Sequence, residues 1–306
     1  MLLLALPRRM TIERRYSCRM LSRRWPVFLL VLSWTADSGR AQTAAPTPSP
    51  APTPSAAAKL EYCSLLKKCG LSVPSACTES LTRGVAGVDY DSERCDPARE
   101  LSQRGVDPAD PASFRLFRFL GERYQVVYRL EGSLAISVAR LNFLLDDLPL
   151  AAVLLTHFQK TRYEAEYLDG PVRRRFKARR GDNLDGEATR VAGDPVGRDL
   201  VYFGRGTSKI GPWRMRGLGL VQVRYAADPT GKGLRYDLRV VAAPINAVVN
   251  LMMKTGIFRG IVLGRIREVL DDVVEASAKL EKQGPGQGGP WTAEQKEKIA
   301  SLLRLP

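Results

Sequence analysis

From residue 124 to residue 282 the chain changes its hydrophobic period in an order that few folds accommodate. Residues 124–138 (YQVVYRLEGSLAISV) are rich in β-branched and aromatic types and predict a strand. Residues 139–158 place apolar side chains at helical spacing, with an interruption at Asp146-Asp147-Leu148-Pro149. Pro149 suits the first turn of a second short helix, with Asp146 or Asp147 as its cap. Strand-like runs follow at 162–168, 172–179, 184–191 and 198–206, separated by Gly, Pro, Asn or Asp. A longer run, 210–226, is interrupted by glycines that predict a bend or bulge, and 233–243 closes the series with Tyr236, Leu238 and Val240 on one face. Pro244 then opens a long helical pattern ending near Lys282, with Val248, Met252, Ile266, Val269, Val273 and Leu280 on one stripe.

One strand, two short helices, six strands in an antiparallel meander and a long C-terminal helix resemble the START-like helix-grip superfamily, also called SRPBCC. That superfamily includes polyketide cyclases, lipid-transfer START domains and coenzyme-Q-binding proteins. The resemblance covers residues 124–282. It rests on element order, on the helix pair ending in Leu154-Leu155-Thr156-His157-Phe158, on the glycine-broken strand containing Trp213, and on the long helix with Asn250 and Phe258-Arg259. It implies an α+β fold, a curved antiparallel sheet around the C-terminal helix, with a cavity between them for an apolar molecule. Gly256, Gly260 and Gly264 lie four apart on that helix. Each costs about 1 kcal/mol relative to alanine, so the stripe asks for a reason. Close packing of another protein element is the first reading, a ligand wall the second and a helix contact in lipid the third.

Ahead of this domain the sequence has three further parts. Residues 1–41 read as an export signal: Arg23-Arg24, an apolar stretch from Val27 to Trp34 too short to span a bilayer, then Gly39-Arg40-Ala41. Met10 and Met20 are alternative starts, and retention as an inner-membrane anchor is the alternative to cleavage. Residues 42–58 form a Pro/Ala/Thr-rich linker without charge, read as an extended spacer. Cys63, Cys69, Cys77 and Cys95 then fall within 33 residues, and none occurs later. Even number, clustering and an export signal predict two disulfides in a small helical module, residues 59–105, with helices near 61–68 and 97–103. The connectivity stays open among three pairings. Beyond the domain, residues 283–306 hold a Gly-rich linker and a short amphipathic helix.

Composition narrows the chemistry. A single histidine, His157, excludes multi-histidine metal sites, and no GxxxxGK[ST], HExxH or GxSxG motif occurs. GPGQGG at 284–289 matches GxGxxG in letters but follows a helix and contains proline, so it reads as a linker. Nothing in the sequence requires a cofactor or a metal. The formal charge of +15 falls to +9 once residues 1–41 are set aside, because they carry eight Arg and two acids. Much of the remainder lies in residues 173–180 (RRRFKARR). Strand alternation puts Arg173, Arg175, Lys177 and Arg179 on one face and Arg174, Phe176 and Ala178 on the other. The basic face reads as a solvated outer surface or as a peripheral contact with anionic membrane. Nucleic acid is not expected, since no interleaved aromatic-basic signature accompanies the charge.

The expected function is that of an exported, periplasmic or secreted binding protein that holds a hydrophobic or amphipathic molecule, a lipid among the candidates. Tyr163, Tyr167, Phe176, Phe203, Trp213, Tyr236, Met252 and Arg259 are the candidate ligand-lining residues. No catalytic set is expected. A cyclase- or aromatase-like enzyme using the same cavity, with His157 or a tyrosine as acid or base, is one alternative. A structural envelope protein docking through the cysteine module or the tail is the other.

Overall fold

Alternation in the strand-like runs is realised as a seven-stranded antiparallel sheet in the computed structural model, which describes residues 54–77, 85–123, 125–210, 213–244, 247–285 and 291–306. The expected signal segment and most of the proline-rich linker lie outside the described residues. Strands β1 (Val126–Leu134), β2 (Tyr163–Tyr167), β3 (Arg175–Arg180), β4 (Leu184–Asp194), β5 (Asp199–Ile210), β6 (Trp213–Ala227) and β7 (Leu234–Pro244) take the order β1-β7-β6-β5-β4-β3-β2. The meander β2 to β7 pairs sequential neighbours, and β1 returns to pair with β7 from Val126↔Ala242 to Leu134↔Leu234. With the helices described below, this is the expected α+β helix-grip arrangement.

Local chemistry sets the element ends. Ser137 accepts from the amide of Arg140 at 3.3 Å and starts a helix, which ends the first strand at Leu134 rather than at Val138. Asp169 accepts from the amides of Arg174 and Arg175, and Arg173 has φ +53°, so β3 begins at Arg175 rather than at Val172. The glycines of the sixth strand neither bend nor bulge it, and Gly217 and Gly219 keep regular register with both neighbours. The irregularity sits instead in β4, between Arg190 and Ala192.

Eight α-helices surround the sheet among the described residues. In the N-terminal module, α1 (Ala56–Lys68) and α2 (Ser92–Gln103) are joined by α3 (Phe114–Gly121). The spacer reading fails for Ala56, Ala57 and Ala58. Ser55 accepts from the Ala58 amide at 3.2 Å and caps a helix there, and alanine is the strongest helix former. Disulfides Cys63–Cys77 and Cys69–Cys95 choose one of the three pairings. Two disulfides belong to an oxidising, extracytoplasmic environment. After β1 come α4 (Val138–Asp146) and α5 (Leu148–Phe158), with Asp147 as the cap, accepting from Leu150 at 3.0 Å.

The long C-terminal helix is two helices. α6 (Ala247–Lys254) ends at Thr255, whose hydroxyl donates to the Met252 carbonyl at 2.7 Å and caps α7 (Gly256–Gln283). The tail forms α8 (Ala293–Leu303), held by a capping box of Thr292 and Gln295. It is not a loose appendage. Ile299 and Leu302 are buried with Leu144, Leu154 and Leu280, and Lys298 pairs with the buried Asp147 at 2.7 Å. No helix among the described residues is long and apolar enough to cross a membrane.

Both faces of the sheet are covered. On one, Val127, Val201, Leu220, Val241 and Ala243 pack against Phe117, Phe119, Leu120, Leu65 and Leu66 of the cysteine module. On the other, β1 and β7 pack against Met253 and Phe258, while Leu134, Leu200, Tyr225 and Leu234 pack against α4, α5, α7 and α8. Each fully buried leucine or phenylalanine contributes about 1.5–3 kcal/mol of transfer free energy, so the module is a structural half of the core.

Candidate functional site

The space between the sheet and the α6–α7 corner starts from a row of residues running across the strands at one level. That row is Val126, Ala242, Gly219, Gly204, Ala188 and Phe176, and the next inward level is Tyr128, Val240, Val221, Tyr202 and Arg190. At β1 the row is covered by Met253 and Phe258, and the Tyr128 hydroxyl donates to the Met253 carbonyl at 2.8 Å, fixing the corner in place. At β5 and β6 the cover stops. Among the described residues, a Cβ built on Gly219 meets only the Val241 carbonyl oxygen at 3.7 Å, and on Gly217 only that of Ala243 at 3.1 Å, both within the sheet. Gly206, which pairs with Gly217 and Gly186, meets only backbone of β4.

The helix side is bare as well. Gly256, Gly260 and Gly264 have no described atom within 4 Å of a built Cβ, so close packing of another element is not the reason for the stripe. Gly256 and Gly260 are exposed, so the stripe on α7 borders solvent, whereas the half-buried Gly217 and Gly219 leave the sheet surface without a described side chain against it. Asn250 lies one turn before the buried Met253 on α6, and its Oδ1 is buried with no hydrogen-bond partner among the described residues. A buried unpaired acceptor costs roughly 1–3 kcal/mol, which a donor group supplied from outside would remove.

The far wall is tied to α7 by a polar clasp. The Tyr163 hydroxyl donates to Asp272, the Arg180 Nε donates to Tyr163 Oη at 2.7 Å, and the Arg180 guanidinium also pairs with Asp272 at 3.3 Å and Glu268 at 3.2 Å. Burial, with the Asp272 hydrogen bond adding to it, pushes the Tyr163 hydroxyl up to about 12. Burial likewise pushes Tyr202 up to about 12. Both stay neutral phenols at physiological pH and serve as walls rather than as bases.

The sequence-predicted residues separate into groups. Tyr163, Tyr167, Phe176, Tyr236 and Met252 lie on the helix side of the sheet or on the helix facing it, by ladder parity and packing. Tyr163 and Tyr167 spend their hydroxyls on protein: Tyr167 donates to the Asp146 carbonyl at 2.8 Å and accepts from the Leu148 amide at 3.1 Å, holding the α4–α5 junction. Phe176 packs edge-on against Tyr202, ring centroids 5.5 Å apart. Arg259 is exposed, and its charge is felt at the Tyr128 hydroxyl, where it partly offsets the upward effect of burial. Trp213 opens β6, and its side chain lies outside the described part.

Phe203 belongs to the other face. It packs on Phe119 of the module, with ring centroids 5.2 Å apart, and cannot reach the sheet–helix space. The residues that sequence reasoning missed on the helix side are Tyr202, Tyr128 and the paired glycines.

Two further expectations change in the structure. The basic strand does alternate, with Arg175, Lys177 and Arg179 exposed, whereas Arg173 lies before the strand and sits over the Tyr167 ring. Lys177 is opposite Glu166 and Glu187, and Arg179 opposite Glu164 and Asp185, so acidic strands flank the basic one on both sides. Such cross-strand pairing lowers the local field. His157 is exposed, its ring 4.7 Å from those of Phe158 and Trp291. It does not point into the sheet–helix space. Among the described residues there is no group of His, Cys, Asp or Glu that would hold a metal ion.

Comparison with known proteins gives no family and no curated relative for this chain. Solved structures of similar arrangement include the crystal structure of Ara h 8.0201, at 11% identity and a TM-score of 0.36, covering 49% of this chain and 95% of that one. An uncharacterised protein from Rhizobium leguminosarum shares 15% identity at a TM-score of 0.32, covering 50% and 93%. DR_A0006 from Deinococcus radiodurans shares 18% at a TM-score of 0.21, covering 45% and 98%.

Proposed function

We propose that this protein is an exported carrier that holds an apolar or amphipathic molecule, a lipid among the candidates, in the space between the sheet and the α6–α7 corner. The observation that carries the reading is the glycine surface of the sheet, Gly206, Gly217 and Gly219, which meets no described side chain. Glycine in strand and helix interiors costs stability, and a ligand lying against the bare backbone offsets that cost. Phe176, Tyr202, Val221, Val240 and Met252 offer apolar walls, and burial against them would contribute roughly 25 cal/mol per Å². The unpaired Asn250 Oδ1 suits a ligand hydroxyl or amide donor, and Arg259 suits an acidic head at the exposed end. Tyr163, Tyr167, Tyr236 and Trp213 complete the proposed lining.

Residues 1–41 act in this reading as the export signal and 42–55 as the spacer, which puts the protein in the periplasm or outside the cell. The two disulfides support that placement. A cyclase-type reaction has less support, because His157 faces outward and the Tyr163 and Tyr202 hydroxyls are held neutral. Native mass spectrometry of protein recovered from an oxidising compartment, followed by organic extraction, tests the proposal. A reproducible added mass that extracts as an apolar molecule is expected. Protein that is always empty, and that takes up no lipid from mixed vesicles, would refute it.

A further inference from the structure

A cleft of about 750 Å³ lies on the opposite face of the sheet, between the cysteine module and strands β3, β4 and β5. That volume is within the range of roughly 300–1,000 Å³ that small-molecule sites occupy. Its floor is apolar: Phe203 and Val191 from the sheet, Val106 and Leu116 from the module. Its rim is basic. Arg115, Arg174, Arg175 and Arg205 line it against three carboxylates, Asp107, Asp110 and Glu187.

Those carboxylates are already engaged. Asp107 accepts from the Ala109 amide at 2.8 Å, Asp110 from the Ala112 amide at 2.9 Å, and Glu187 pairs with Arg205 at 2.8 Å. Arg115, Arg174 and Arg175 have no carboxylate partner among the described residues. The mouth carries Leu168, 40% exposed, directly before the turn that presents Arg174 and Arg175. Apolar floor, exposed leucine and unpaired guanidinium groups are complementary to one kind of molecule. A neutral apolar ligand leaves the arginines without partners, and a bare anion leaves Phe203 and Val191 facing water.

We propose that this cleft binds a single-chain anionic amphiphile, with its chain over Phe203 and Val191 and its carboxylate or phosphate at Arg174 and Arg175. The site is separate from the sheet–helix space and does not depend on it, since Phe203 faces the module and not α7. Membrane leaflets and free fatty acids are two sources of such a molecule, sharing the same chemistry.

Isothermal titration of the protein lacking residues 1–41, with both disulfides intact, tests this using four probes: oleate, lysophosphatidate, dodecanol and inorganic phosphate. Oleate and lysophosphatidate are expected to bind, with affinity falling as salt rises. The exposed pair Arg174→Glu and Arg175→Glu should weaken both by at least about tenfold, from the loss of two charge-assisted contacts. Thr189, which sits between Arg175 and Phe203 in the ladder, is the position for a filling variant. Thr189→Trp should abolish binding, and where that variant fails to fold the arginine pair carries the test. Gly219→Val, which fills the sheet–helix space, should leave this binding unchanged and so separates failure here from failure of the proposed carrier function. Dodecanol binding as tightly as oleate, phosphate binding as tightly as lysophosphatidate, or titrations unmoved by the arginine variants would each overturn the proposal.

Discussion

Gly219→Val asks whether the space over the sheet is empty. In β6 the residue is paired on both sides, and a Cβ there touches only the Val241 carbonyl oxygen, at the ordinary distance of 3.7 Å. With no other described atom in reach, valine gains what a strand interior offers a β-branched residue, up to about 1 kcal/mol. On a folded region of this size 1 kcal/mol moves Tm by about 2–4 °C. Delipidated variant protein should therefore unfold in urea at the same concentration as the parent or slightly above it. Added apolar mass, where the parent carries one, should fall. Gly204→Val is the control, because its Cβ would lie 2.1 Å from the Glu187 oxygen and force the backbone apart. It should cost about 3 kcal/mol or more. If Gly219→Val also lowered stability by about 2 kcal/mol, another element would occupy that space and the carrier reading would lose its geometric basis.

Three other outcomes follow from the packing and the charges. Phe119→Ala removes a fully buried ring from the module–sheet interface and should cost about 3–5 kcal/mol in urea unfolding, in a single transition shared by module and sheet; two separate transitions would argue that the halves are independent. Opening Cys69–Cys95, which spans 26 residues, should destabilise by about 0.5 kcal/mol more than opening Cys63–Cys77, which spans 14; equal or reversed losses on paired Cys→Ala variants would contradict the loop argument. Glu100 is subject first to burial, which raises its pKa, but the Gln222 hydrogen bond together with Arg224, Arg239 and Arg104 outweighs it and holds the carboxyl below the ordinary range. A depressed folded pKa gives stability that is present above the ordinary glutamate value of about 4.5 and is lost as pH falls below it. Glu100→Gln should therefore be less stable than the parent at pH 7 and converge on it in acid, and a gap that persisted at pH 3 would assign the network another role.

The strands and their order were legible because turn residues and period-two patterns act locally. Asp147 and Pro149 gave the helix-pair junction for the same reason. What stayed hidden was which parity faces which partner. Leu200-Val201-Tyr202-Phe203 is a continuous apolar run, the signature of a strand covered on both faces, and Val240-Val241-Ala242-Ala243 repeats it. Read for one buried face, those runs put Phe203 with Tyr236; read for two, they announce a second cover, which α3 and its Phe117 and Phe119 supply. The Thr255 break escaped because apolar residues continue at helical steps on either side, and a threonine inside such a stripe is tolerated until its hydroxyl turns back to cap. The carboxylates beside β3 were also in plain view, but only strand register brings Glu164, Glu166, Asp185 and Glu187 against it.

The pairing of β1 with β7 has a consequence in time. Val126 meets Ala242 and Leu134 meets Leu234, so the first strand made waits for about a hundred further residues before it has a neighbour. The four-helix corner waits longer still, since Ile299 and Leu302 close it within the last eight residues of the chain. During synthesis β1 has no strand partner until β7 is made, and Val126 and Tyr128 stay uncovered until Met253 and Phe258 follow. Closing such distant contacts is slower than pairing the sequential strands β2 to β7. Under the proposed export, a chain whose first strand pairs late would stay threadable through a narrow translocation channel before the sheet closes and the cysteines oxidise.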